Sequence, residues 1–287
     1  VVTSGGSRAT IGPVTLSVQK GDQKAPNVSY TNPSTIGGTG SIGVTAPKLT
    51  TAMEVSKDGT QYTPVTAEQV ASGITDIPSG TTYYIRYAKT EYLNESPAQT
   101  IPIGAFTPNK EPTPEGTFEA STMTLSGVKS GQEYRINNSE TWTKITGPTV
   151  DLSDAGLKDG DTIQIYKPGN GTTTTTSDTQ TIRLTQAAKP TGTATDETSY
   201  QGKNGSITIT NYDSNYTYQI SSNGGTDWKG AKVGESGVIS NLAPGDYVIR
   251  VKGAGNMLAS EPSNTLTVDP CVPSSEAKIT SFEVTVG

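Results

Sequence analysis

One short strand pattern returns four times along this chain, and a repeat of that kind constrains the architecture before any single residue is interpreted. It reads Val14-Thr15-Leu16-Ser17-Val18, then Gln99-Thr100-Ile101-Pro102-Ile103, Gln180-Thr181-Ile182-Arg183-Leu184 and Asn264-Thr265-Leu266-Thr267-Val268. The interval is roughly 80–85 residues, the size of one small β-sandwich. A chain of 287 residues therefore has room for three full copies with pieces of two more at its ends.

Other segments keep the same phase. Gly40-Ser41-Ile42-Gly43-Val44, Ser121-Thr122-Met123-Thr124-Leu125 and Gly205-Ser206-Ile207-Thr208-Ile209 alternate apolar with polar residues, as a half-buried strand requires. Met53-Glu54-Val55-Ser56, Tyr134-Arg135-Ile136-Asn137 and Tyr218-Gln219-Ile220-Ser221 each meet turn residues and then an aromatic: Tyr62, Trp142 or Trp228. That is the pattern of a hairpin, with glycines supplying positive φ where tight turns need it. The most aromatic strands follow: Tyr83-Tyr84-Ile85-Arg86-Tyr87, Thr162-Ile163-Gln164-Ile165-Tyr166 and Tyr247-Val248-Ile249-Arg250-Val251. Each should lie centrally, beside the last strand of its copy.

Lys24-Ala25-Pro26, Lys110-Glu111-Pro112 and Lys189-Pro190 open the copies, and proline makes such joints stiff. The boundaries expected are 24–106, 107–187 and 188–269. Residues 1–23 are read as the end of a preceding module and a joint, and 270–287 as a linker and the first strand of a following one. Both ends read as cuts within a longer polypeptide.

Composition narrows the function. Hydrophobic residues are only 31% and mean hydropathy is −0.45, which fits several thin cores better than one deep one. A net charge of −6 with no cluster of Lys or Arg argues against nucleic acid, and no apolar run is long enough to insert in a membrane. The chain has no histidine, which excludes Ser-His-Asp and Cys-His nucleophiles and every His-ligated metal. One cysteine, Cys271, cannot form an internal disulfide; it is a free thiol in a linker or an intermolecular attachment point. Asp159 and Asp161 read as solvated turn formers, and Asp151, Asp154, Asp159 and Asp161 lack the Asp-x-Asp-x-Asp-Gly spacing of a calcium loop. No enzyme, metal or cofactor is expected.

The third copy is the clearest: Tyr218-Gln219-Ile220-Ser221, Trp228-Lys229, Asn241-Leu242-Ala243-Pro244-Gly245-Asp246-Tyr247-Val248-Ile249-Arg250-Val251 and Ala259-Ser260-Glu261-Pro262. With Glu95-Ser96-Pro97 in the first copy, these residues resemble the immunoglobulin-like or fibronectin-III-like repeats of large multimodular surface proteins of Gram-positive bacteria. The resemblance implies an all-β chain of three tandem Ig-like antiparallel β-sandwich modules in an extended, monomeric array. It implies a secreted or cell-wall-attached spacer stalk whose partners are neighbouring domains of the same polypeptide. The alternative is a carbohydrate-binding or host-adhesion module that meets a glycan or host surface protein through Trp142, Trp228 and Tyr62. These aromatics serve either as packing residues or as stacking platforms. Lys–Asn isopeptide bonds occur in some such sandwiches, but Lys24, Lys110 and Lys189 fall in joints, outside the buried strands that chemistry needs.

Overall fold

The computed structural model describes residues 2–4, 7–9, 12, 17, 19–272 and 285. The strands expected at 14–18 and 274–287 fall outside this set, save Ser17 and Thr285. The chain divides into two compact units, Val1–Lys110 with Gly169–Thr175, and Glu111–Pro168 with Thr176–Gly287.

The first unit holds one sandwich. Strands Tyr30–Thr31, Thr39–Ile42 and Ile74–Pro78 form a three-stranded antiparallel sheet. Thr63–Pro64, Met53–Ser56, Thr81–Tyr87 and Gln99–Ile103 form a four-stranded one in that order. Alternation sends Met53, Val55, Ile85, Ile101 and Ile103 inward, where they meet Ile42 and Ile77 of the opposite layer and Leu49 of the connecting loop. Gly40 recurs as Gly205 for a packing reason: a Cβ on Gly40 would come within 2.5 Å of the Ile103 side chain. One helix of six residues stands among the described residues, Ala67–Ser72. Thr66 and Gln69 hold it by a reciprocal capping box.

The second unit repeats the plan twice. Thr117–Glu119, Thr124–Ser126 and Thr149–Asp151 face Thr143–Lys144, Glu133–Ile136, Thr162–Tyr166 and Gln180–Arg183. Gly192–Thr195, Gly205–Ile209 and Val238–Leu242 face Lys229–Gly230, Tyr218–Ser221, Gly245–Val251 and Leu266–Val268. In the second copy the second strand begins later than its sequence suggests. Met123 has φ of 52° and ends the turn, and Leu125, not Met123, fills the place of Ile42 and Ile207. The central place of the aromatic strand recurs in all three copies.

The repeated Gln-Thr-Ile pattern has a specific task. Gln99 accepts the Val28 N–H at 2.7 Å and donates to the Val28 carbonyl at 3.1 Å. Gln180 does the same with Gly116, at 2.8 and 2.7 Å. A side-chain amide thus supplies the donor and acceptor of one ladder rung and ties the entering segment to the last strand. Asn264 is too short for this, and it accepts from Lys189 Nζ instead. Ser96, Ser177 and Ser260 are buried and accept the N–H of Tyr87, Lys167 and Val251, satisfying the main chain where the last two strands separate.

Candidate functional site

The residues singled out for binding lie on the outer face of each four-stranded sheet. Tyr62, Trp142 and Trp228 each immediately precede the short outer strand of their copy, and all three are half-buried. None belongs to a core, so the packing they make is on the sandwich surface.

What covers them is a residue type that the sequence reading did not assign. The Arg86 guanidinium lies 3.8 Å from the Tyr62 ring centroid, Arg135 lies 4.5 Å from Trp142, and Arg250 lies 4.2 Å from Trp228. Each arginine is fixed from a second direction by its cross-strand neighbour. Arg86 pairs with Glu54 at 2.9 Å and Arg250 donates to Gln219 at 2.8 Å. In the second copy the roles are exchanged: Arg135 stands where Glu54 and Gln219 stand, and donates at 2.6 Å to Gln164, which occupies the arginine position. The stack survives because directly opposed side chains on one face are interchangeable in reach. Partial burial draws the Arg250 guanidinium below its ordinary value, the cost of taking a cation out of water.

The second copy adds an edge-on contact between Trp142 and Tyr166, with centroids 4.3 Å apart. Tyr166 donates its hydroxyl to Glu133 at 2.7 Å, and this bond to a carboxylate holds the phenol above its usual range. In the third, Gly225 approaches the Trp228 ring so closely that a Cβ would meet Cζ2 at 3.2 Å. Gly225 has φ of 91°, so the turn brings main chain against the indole. Each ring therefore has one face committed to a guanidinium, the position that a sugar ring or ligand cation would take on that face.

The other expected positions are dispersed. Asp151 accepts the Ser153 N–H at 2.9 Å, which lowers its carboxyl from the ordinary value. Asp159 accepts from Gln186 N–H at 2.9 Å, and Asp161 accepts from Lys158 N–H at 2.7 Å and from Asn137. Asp154 is exposed. Among the described residues no group of three or more His, Cys, Asp or Glu gathers to hold a metal ion. Lys189 Nζ donates to Asn264 Oδ1 at 2.9 Å as an exposed contact of a joint. Cys271 is a free thiol, half-buried beside Glu197, Tyr200, Ala243 and Pro244. No helix of the described residues is long and apolar enough to cross a membrane.

Three and four antiparallel strands, with the fourth strand of each copy placed beside the third, define an immunoglobulin-like or fibronectin-III-like sandwich. The Tyr247 hydroxyl bonded back to the Ala243 carbonyl at 2.8 Å is the tyrosine corner of that architecture. This is a protein of tandem β-sandwich modules. No family model matches it, and no curated protein matches it. Among solved structures, the FN1–FN3 domains of chicken CNTN1 align at 13% identity over 87% of this chain and 99% of that one, with a TM-score of 0.24. Domains A168–A170 from titin align at 12% identity over 87% and 96%, with a TM-score of 0.28. The fold assignment rests on strand order and register, not on these likenesses.

Proposed function

We propose that this chain is a non-catalytic spacer region of a secreted or cell-surface bacterial protein, holding other domains of the same polypeptide apart. The observation that carries the reading is that the recurrent features serve joints and sheets. The segment entering each of the three sandwiches pairs in parallel with the last loop of that sandwich, at Gly21 with Leu93, Asn109–Lys110 with Thr174–Thr175, and Thr185–Gln186 with Met257–Leu258. The recurrent aromatics are likewise occupied by arginines of their own sheet. Load on a spacer acts on such joints, and main-chain pairing resists it without demanding particular side chains.

Pulling the chain from its ends should give discrete unfolding steps, each releasing roughly 25 nm for a module of ~80 residues. A glycan array should show no saturable binding by the same chain. Saturable glycan binding that disappears in Trp142→Ala and Trp228→Ala would replace the spacer reading with the adhesive one.

A further inference from the structure

The loop between the last two strands of a sandwich does more than pair with its own entering segment. In the first unit, the turn between the first two strands presents the Ile36 N–H to the Thr172 carbonyl at 2.7 Å. In the second unit, the turn at the same place in the second sandwich presents the Ala120 N–H to the Gly255 carbonyl at 2.8 Å. There the Glu119 carboxylate also accepts the Gly255 N–H, at 3.2 Å to both oxygens. Gly253 lies so near that a Cβ would come 3.2 Å from the Ala120 methyl. Leu258, carried by the third sandwich, is buried in the core of the second. In each unit a first turn is thus a socket filled by the main-chain carbonyl of a later loop, and in the second unit the buried Leu258 backs it.

The third sandwich has the same turn at residues 196–204, between Gly192–Thr195 and Gly205–Ile209. Here no described residue fills it. Tyr200 is 62% exposed, and among the described residues the Ser199, Tyr200 and Gln201 amides have no hydrogen-bond acceptor. Beside the turn is a cleft of about 360 Å³ walled by Tyr200, Pro244 and Cys271, with Val272 exposed next to it. The floor is already organised. Glu197 is buried, accepts the Lys203 N–H at 2.7 Å and the Cys271 N–H at 3.4 Å, and so fixes the turn against the exit segment. Leu93 pairs with Gly21 as Met257–Leu258 pairs with Thr185–Gln186, yet Leu93 is 36% exposed where Leu258 is 6%.

We propose that the 196–204 turn and its cleft are a docking face for the last loop of a further β-sandwich module carried by the same polypeptide. The occupant is a hairpin that offers a main-chain carbonyl to the Ser199–Gln201 amides and packs against Tyr200 and Pro244. The inference rests on the spacer reading, in which modules follow one another, and adds the surface through which the next one is held.

The test extends the chain. Residues 1–272 are followed directly by a second copy of residues 107–187, whose last loop is of the docking kind, and hydrogen exchange is followed in the 196–204 turn, which occurs only once in this polypeptide. The Ser199–Gln201 amides should exchange at least about tenfold more slowly than in the 287-residue chain. Removing Gly171–Thr173 from the appended copy alone, or replacing Tyr200→Ala, should return exchange to its original rate. A version carrying residues 19–106 in place of 107–187 provides a second loop, with the folding of either appended copy read from its added melting enthalpy. Unchanged exchange beside a folded appended copy overturns the proposal. That result leaves the spacer reading standing, since glycan binding is what would remove it.

Discussion

Leu258 belongs by sequence to the third sandwich and by packing to the second, and truncating it separates the two descriptions. The side chain is 6% exposed and sits among Phe118, Ala120, Leu125, Ile163 and Leu184. Leu258→Ala removes three carbons from that cluster. Transfer of the lost methyl and methylene groups accounts for roughly 2 kcal/mol at ~0.8 kcal/mol per group, and the cavity adds to it, giving about 2–4 kcal/mol. For a domain of ~80 residues, 3 kcal/mol corresponds to a fall in Tm of about 12–24 °C. Residue-resolved hydrogen exchange with calorimetry is the assay. The amides of Thr124–Ser126 and Thr162–Tyr166 should lose protection, while Tyr218–Ser221 and Gly245–Val251 should largely keep theirs. Ile249→Ala is the converse control, because Ile249 is fully buried in the third core. If Leu258→Ala weakened only the third sandwich, the reasoning that assigns its energy to the second core would be refuted.

The exchanged pair in the second copy predicts that Arg135→Gln and Gln164→Arg each cost about 1–2 kcal/mol in denaturant melts, whereas the double variant, which recreates the arrangement of the third copy, recovers most of it. Trp228→Ala should destabilise the third sandwich by about 1–3 kcal/mol with the first unaffected, as measured by exchange in Tyr218–Ser221. Gln180→Ala leaves both main-chain groups of Gly116 without their partner, and should lower the stability of the second sandwich by about 1–3 kcal/mol in the same melts. Asp58 accepts the Thr60 and Gln61 N–H groups at 2.7 and 2.8 Å, and these bonds hold its carboxyl well below the usual carboxylate range. Its contribution is therefore present above the ordinary aspartate pKa and lost as pH falls through the lowered one. Asp58→Asn, which copies Asn223 of the third sandwich, should flatten the acid limb of the first sandwich's Tm-against-pH curve.

Much of the fold could be read from particular residues. Alternation in Thr162–Tyr166 and Gly205–Ile209, and the recurrence of Ile101, Ile182 and Leu266, marked which side chains turn inward, and those residues are buried. The second copy misled at Ser121–Met123, where apolar Met123 imitates a strand residue but lies in a turn at positive φ. The aromatics were visible as a recurring feature, but their arginines were not. Arg86 and Arg250 lie on one strand and Arg135 on its neighbour, so no alignment of the copies places them together until cross-strand register is known.

What the sequence determines by itself is local: a period of two along each strand, turn chemistry at Asp58-Gly59 and Asn223-Gly224-Gly225, and a module length set by the return of one motif. What only tertiary structure decides is which distant groups satisfy one another. Glu119 and Gly255 meet although 136 residues separate them, and Leu258 leaves its own module's core for the preceding one. Periodicity encodes the face a side chain takes relative to its own backbone. Where two such backbones meet is set by packing and hydrogen bonding between segments, which no single segment carries.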